Sequence, residues 1–156
     1  MFKLSYVCLV ILLISACKPT VENSQNQLPE ELQCIDSQSE CEVATKLANF
    51  SIKFSQNQLT SNIKAEEPFT IALTVLAPNQ QHVHKDNITK ITAHMEGRDM
   101  FMGKVPVFFQ QNQNGHTFIA ESLLASCSGN MVWRLWVTAE TAEQQQQFFV
   151  DFTSEG

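Results

Sequence analysis

The sequence predicts an all-β protein: an antiparallel Ig-like β-sandwich of seven or eight short strands that follows a signal peptide and a flexible tether. Two observations predict the sandwich. From residue 50 onward apolar residues alternate with polar ones, a period of two that is typical of half-buried strands and not of helices. Clusters of Gly, Pro, Asn, Gln and Ser, which favour turns, separate these runs at short intervals. The chain of 156 residues has room for one such domain and a tail.

Seven segments carry the alternating pattern, and each is predicted to form a strand. The clearest is 131–137, in which Met, Trp, Leu and Val alternate with Val, Arg and Trp. A weaker segment at 59–63 would be the eighth strand, and 140–147 is predicted to form either a helical turn or a long hairpin loop. The remaining predicted strands are 50–54, 69–75, 88–96, 105–109, 118–122 and 148–152.

The first seventeen residues predict export from the cytoplasm. Lys3 supplies the positive charge of a signal peptide, and residues 4–14 form an apolar run shorter than the roughly twenty residues that a permanent membrane span needs. Residues 14–17 read ISAC and resemble a bacterial lipobox, which implies that a signal peptide of residues 1–16 is removed and that Cys17 receives lipid. The alternatives are ordinary cleavage, which would leave Cys17 as a thiol, and an uncleaved anchor.

The resemblance to bacterial lipoproteins also implies a location and a domain layout. Lys18 occupies the second mature position, where lipoproteins retained in the inner membrane usually carry Asp, so attachment to the outer membrane on its periplasmic side is expected. Residues 18–33 are polar, contain two prolines and lack an apolar period. We therefore predict a lipidated Cys and flexible tether over 17–33 and the β-sandwich domain over 34–156.

Composition and motifs argue against two classes of function. The chain has ten Lys and Arg against sixteen Asp and Glu, a net charge of −6, and loss of Lys3 with the signal peptide would change it to −7. Such an acidic chain, with two Arg, lacks the clustered cations that nucleic-acid phosphates need. No Gly-x-Ser-x-Gly, Gly-rich phosphate loop or His-Glu-x-x-His occurs, so a binding protein without catalysis, acting on an unknown periplasmic partner or a metal, is expected.

Two of the cysteines predict a structural disulfide. Cys34 and Cys41 enclose six residues in a chain bound for an oxidising compartment, where such pairs form bridges. Closing this loop would contribute about 2 kcal/mol on the chain-entropy model. The alternative is a redox or metal dithiol, although such sites favour a gap of two residues.

The sulfur-containing residues of 94–131 suggest a copper site. Met100 and Met102 lie two apart, so both project to one side of an extended segment. Thioether, thiolate and imidazole ligands together favour Cu(I) over harder ions. His94 is the natural third ligand, because a turn at Gly97 could bring it back over the pair, and Cys127 is the thiol left over if the other two bridge. The hypothetical metal site is therefore His94, Met100, Met102 and Cys127.

Packing in the core is an alternative explanation for the methionines of this region and for Cys127. The strand parity of Met95 and Met131 places both in the core, where Met is a common filler of gaps. If Met100 and Met102 are also buried and Cys127 is a small core residue, the protein is instead a structural or assembly lipoprotein of the cell envelope without metal. That alternative would act through its sheet surface, around an exposed Trp136 or along a sheet edge. Whether Met100 and Met102 are buried distinguishes the copper-binding hypothesis from the structural lipoprotein.

His82, His84 and His116 give weaker signals, and His94 also has an explanation that involves no metal. His82 and His84 could share one side of an extended segment and form a surface Zn or Cu(II) site, but 78–87 reads as a solvated loop, which is favoured. His94 lies on the polar face of its predicted strand, where it is available as a ligand or merely solvated. His116 begins a strand, and no partner can be assigned to it from the sequence.

Residues 94–137 resemble a group of uncharacterised bacterial periplasmic proteins. The shared pattern is a Met-x-Met-Gly turn at 100–103, a Gly-aromatic strand at 115–118, Cys127, and Met-x-Trp at 131–133. More remotely the segment is similar to the YtkA/FixH-type Ig-like domains, some of which are linked to copper delivery for respiratory oxidases. The resemblance implies an Ig-like topology and candidate sites at Met100, Met102 and Cys127.

Overall fold

The computed structural model describes residues 34, 40–57, 62–76, 88–113, 115–126 and 129–156. All of them fall in the compact unit Glu31–Gly156. The predicted signal peptide 1–16, Cys17, the rest of the tether, His82, His84 and Cys127 lie outside these residues. Within the described ranges the regular structure is entirely β, and no helix long and apolar enough to cross a membrane is found there.

The described chain forms ten strands in two five-stranded sheets. Sheet 1 has the order β1-β2-β4-β8-β7 and sheet 2 the order β3-β10-β9-β5-β6. The strands are β1 (Cys41–Ala44), β2 (Asn49–Ser55), β3 (Ile63–Lys64), β4 (Phe69–Val75), β5 (Lys90–Gly97), β6 (Lys104–Val107), β7 (Gln110–Gln111), β8 (Thr117–Ser122), β9 (Met131–Glu140) and β10 (Gln145–Glu155).

The predicted antiparallel β-sandwich is confirmed, with three differences in detail. The structure has more strands than the seven or eight expected, because β1, β3 and β7 have only two to four residues, too few to show a period. The pair β3–β10 is parallel, whereas every other pair is antiparallel among the described residues. The segment 140–147 forms a tight hairpin between β9 and β10, in which the Gln144 amide donates to the Thr141 hydroxyl at 3.0 Å.

The core lies where the alternating residues of the two sheets meet. Phe50 of β2 stacks on Phe148 of β10 with ring centroids 4.7 Å apart, and Phe54 packs on Phe152 at the same separation. Burial of each such ring contributes about 1.5–3 kcal/mol relative to exposure. Trp133 is also buried, and its indole N–H donates to the Ser154 hydroxyl at 3.1 Å, so its one polar group is satisfied.

The Cys34–Cys41 disulfide is present in the structure, as the spacing predicted. The two Cα atoms are 5.5 Å apart, within the usual range for a bridge. Cys41 begins β1 and pairs with Ile52 of β2, so the bridge holds Cys34 at the edge of sheet 1. Cys41 is 3% exposed and Cys34 is half-buried, so the bridge is a structural cross-link packed against the core.

Candidate functional site

The candidate site is the loop that joins β5 to β6 at one end of sheet 2. The two strands form a hairpin whose last paired positions are Glu96 and Lys104, one on each strand. β5 continues one residue further, to Gly97, which pairs with Trp133 of β9. We call residues 98–103 the thioether loop, because they include Met100 and Met102.

Two glycines bound this loop for different physical reasons. A Cβ at Gly97 would overlap the terminal methyl of Met131 and the backbone carbonyl of Met100, so the position requires a residue without a side chain. Gly103 has open space around it but a φ of +85°, a left-handed conformation that other residues rarely adopt. Next to Gly97, the Arg98 amide donates to the Val132 carbonyl at 2.9 Å. The loop is thus attached to the sheet through backbone groups.

Both thioethers of the loop face solvent. Met100 is 60% exposed and Met102 is 37% exposed, with Phe101 between them at 74%. Met95 and Met131 are 0% and 7% exposed, which confirms their predicted place in the core. Packing in the core therefore accounts for Met95 and Met131. It does not account for Met100 and Met102, which the structural-lipoprotein alternative required to be buried.

His94 lies on the same hairpin, further from the loop. It pairs with Pro106 of β6 and with Trp136 of β9, so the Glu96–Lys104 pair separates it from the thioether loop along the ladder. Burial lowers the pKa of His94 from its ordinary 6.5, and the Lys104 charge lowers it further, whereas Glu96 acts in the opposite direction. The imidazole is therefore neutral at neutral pH, the form that binds metal ions. The ligation predicted for His94 remains a prediction.

Cys127 lies outside the described residues, but the chain after it returns to the candidate site. Met131 begins β9, and its terminal methyl adjoins Gly97. The connection from β8 to β9 therefore ends at the same end of sheet 2 as the thioether loop. The sequence alone showed Met131 only as a core residue; its contact with Gly97 depends on the β5–β9 register, which no local pattern reveals.

The outer face of sheet 2 is closed beside this site by a polar and aromatic cluster. Asp151 is 0% exposed, and both of its carboxylate oxygens accept hydrogen bonds from Arg134, at 2.7 and 2.9 Å. The Arg134 guanidinium lies 3.8 Å from the ring centroid of Phe149. Trp136 packs edge-on against Phe149, and its indole N–H donates to Glu96 at 2.6 Å. Trp136 is therefore half-buried and hydrogen-bonded, not the open contact surface that the alternative reading envisaged.

A second exposed apolar feature lies at the edge of sheet 1. Phe108 is 78% exposed and Ile119 is 41% exposed. Both line a groove of about 620 Å³, together with Gln110, Gln111, Asn112, Ala120 and Glu121. Ile119 pairs with Gln110 of β7, the short strand that ends this sheet. The sequence indicated that Phe108 and Phe109 alternate, but not which of them would be exposed.

Among the described residues, no group of three or more His, Cys, Asp or Glu side chains is arranged to hold a metal ion. Neither a protein-family model nor a curated protein matches the sequence. One solved structure that aligns with this chain is a copper-bound variant of FetP from uropathogenic Escherichia coli strain F11. It has 7% sequence identity and a TM-score of 0.44, and the alignment covers 76% of this chain and 91% of that one. At this distance the likeness carries no argument about the site.

Proposed function

We propose that the protein is a lipid-anchored accessory protein of the bacterial periplasm that binds Cu(I) through Met100 and Met102 and performs no catalysis. The observation that carries this proposal is the exposure of these two residues, 60% and 37%, in a chain whose Met95 and Met131 are buried. Burying a Met side chain contributes about 1.5–3 kcal/mol, so two exposed thioethers add little to packing. Thioether sulfur is a soft ligand suited to Cu(I).

Two further residues would complete the ligand set in this proposal. His94 is neutral at neutral pH because its pKa is lowered, so it offers an imidazole lone pair on the same hairpin. Cys127 would supply a thiolate from the connection that ends at Met131, whose side chain adjoins the loop at Gly97. The positive charge of nearby Lys104 would repel a copper ion bound at His94. Cys127 is therefore the stronger candidate for a third ligand.

The proposed location follows from the N-terminal sequence and is supported by the disulfide. The ISAC sequence at 14–17 provides the lipidation site Cys17, and Lys18 favours the outer membrane. The Cys34–Cys41 bridge suits an oxidising compartment such as the periplasm. Mass spectrometry of the membrane fraction tests the anchor: an N-terminal Cys17 that carries lipid is expected, and Cys17→Ala should lose this lipid modification.

Competition titration tests the copper site directly. The full-length protein in detergent, with its Cys34–Cys41 bridge intact, is titrated anaerobically with Cu(I) against a chromogenic chelator. We expect one Cu(I) per chain, and an affinity at least about tenfold lower in Met100→Leu/Met102→Leu, which corresponds to about 1.4 kcal/mol. Met95→Leu is the matched control, because it removes one thioether that is fully buried. Unchanged binding in the double variant would overturn the proposal.

A second candidate function is docking of a periplasmic protein at the edge of sheet 1. The exposure of Phe108 and Ile119 beside an open groove favours it. A photo-crosslinking amino acid placed at Phe108 in cells should form an adduct with one defined partner that Ile119→Asp abolishes. The same probe at Lys53, an exposed residue of β2 on the same sheet, is the control. Equal labelling from both positions would argue against a docking site there.

A further inference from the structure

The exposure that makes Met100 and Met102 available to a metal also makes them available to oxidants. Oxidation of a thioether proceeds by attack of the sulfur lone pair on an electrophilic oxygen, so the rate depends on access to the sulfur. Access differs sharply within this chain, since the two loop side chains are 60% and 37% exposed whereas Met95 is 0% exposed. The chain therefore contains its own buried reference residues, Met95 and Met131.

The way the loop is attached lets it accept this modification without loss of the fold. Two backbone contacts hold the loop to the sheet: the Arg98 amide bonds to the Val132 carbonyl, and the Met100 carbonyl packs over Gly97. A sulfoxide oxygen on the exposed Met100 side chain would be hydrated. The same oxygen on Met95 would be buried in the core, where a polar group without a hydrogen-bond partner is strongly unfavourable.

We propose that Met100 and Met102 form an oxidation-sensitive switch, in which sulfoxidation by two-electron oxidants such as hydrogen peroxide or hypochlorous acid removes the Cu(I) site. With peroxide, the sulfur lone pair attacks one oxygen, the O–O bond breaks and an S–O bond forms. The thioether loses two electrons, and the peroxide is reduced to water. The product offers a harder oxygen donor and a less available sulfur, so its affinity for Cu(I) falls.

The switch rests on the proposed copper function, but the oxidation of Met100 and Met102 can be measured without copper. Lys90, Arg98, Lys104 and Arg134 divide this part of the chain for trypsin. The tryptic peptide 99–104 contains Met100 and Met102, whereas 91–98 contains Met95 and 105–134 contains Met131. Mass spectrometry of the three peptides therefore reports the oxidation of each group separately.

The peptide readout uses the full-length Cys127→Ser protein in detergent, which keeps oxidation of that thiol out of it, and the Cu(I) affinities are measured on the wild-type protein before and after oxidation. After limited exposure of the metal-free protein to hydrogen peroxide, peptide 99–104 should gain oxygen at least about tenfold faster than the peptides that contain Met95 and Met131. The oxidised protein should bind Cu(I) at least about tenfold more weakly, and methionine sulfoxide reductases should restore binding. In Met100→Leu/Met102→Leu, peroxide should leave the residual, already weakened Cu(I) binding unchanged.

Three outcomes are informative and distinguishable. Equal oxidation of the three peptides would overturn the switch, whether or not the protein binds copper. Selective oxidation that leaves the Cu(I) affinity unchanged would overturn it as well. Failure of the unoxidised wild-type protein to bind Cu(I) would refute the proposed function and the switch with it, and this is read before any oxidant is added.

Discussion

The terminal methyl of Met131 lies against Gly97, at the point where β5 leaves the sheet and the thioether loop begins. The Met131 side chain and, more rigidly, the Met100 backbone carbonyl fill the space that a side chain at Gly97 would need. This contact joins the hydrophobic core to the candidate metal site, because the Met100 carbonyl packs beside the Met131 methyl on the same side of the glycine.

Replacing Gly97 should disturb both the core and the loop. In Gly97→Ala the new methyl would overlap Met131 and the Met100 carbonyl, so we expect a loss of about 1–3 kcal/mol in the free energy of unfolding and weaker Cu(I) binding. Urea denaturation measures the first and chelator competition the second. Gly103→Ala is the control, since open space surrounds that residue and only its positive φ is strained, which costs about 1 kcal/mol. Equal losses in the two variants would show that neither the Met131 contact nor the Met100 contact restricts Gly97.

Removing the charge of Asp151 should be strongly destabilising. Asp151 is fully buried and accepts two hydrogen bonds from Arg134, whose side chain is 12% exposed. In Asp151→Asn the guanidinium would remain buried without its counter-charge, so we expect a loss of about 3–5 kcal/mol in urea denaturation.

The double variant Arg134→Met/Asp151→Leu supplies the comparison for this pair. Removing both charges together avoids an unpaired buried ion, so it should cost clearly less than Asp151→Asn alone. A double variant that is less stable than the single one would contradict this account of the cluster.

His94 should give the metal-free protein an acid-dependent loss of stability. Its pKa in the folded state is lowered from 6.5, chiefly by burial, so the unfolded chain binds a proton more readily. This contribution is fully present above pH 6.5 and is lost as the pH falls through the lowered folded-state pKa. NMR titration of the imidazole should give a pKa below 6.5, and Lys104→Gln should raise it, because the Lys104 charge is one of the lowering causes. A value at or above 6.5 would show that His94 is not desolvated.

Removing the disulfide should weaken the fold modestly. The bridge closes a short loop, with a sequence separation of 7, so Cys34→Ser/Cys41→Ser should lose about 2 kcal/mol in urea denaturation. Reduction of the wild-type protein should give a similar loss, and the double variant should be insensitive to reductant. A reductant effect that persists in the double variant would have to come from another cysteine.

The sequence predicted most of the sandwich because a half-buried strand imposes a period of two. Met131, Trp133, Leu135 and Val137 alternate along β9, and all four are buried as expected. β1, β3 and β7 were not predicted as the structure shows them, since a strand of two to four residues carries too little pattern.

The candidate site was only partly predictable. The composition of the Met-Phe-Met segment suggested a soft-metal site, and its position between two glycines suggested a loop. Asp151 and Phe149 are buried on the face of β10 opposite the core, where simple alternation predicts exposed residues. Their burial depends on Arg134 of the neighbouring strand. Such contacts are set by the register between strands, which a single sequence does not display.

X-ray absorption spectroscopy at the copper edge tests the central claim most directly. The Cu(I)-loaded Cys127→Ser protein is compared with the same protein carrying Met100→Leu/Met102→Leu, so that the sulfur ligands under test are thioethers. Our account predicts sulfur in the first coordination shell of the copper in the former protein and its loss in the latter. A first shell of nitrogen or oxygen alone in the former, or a sulfur shell unchanged in the latter, would contradict the assignment of Met100 and Met102 as copper ligands.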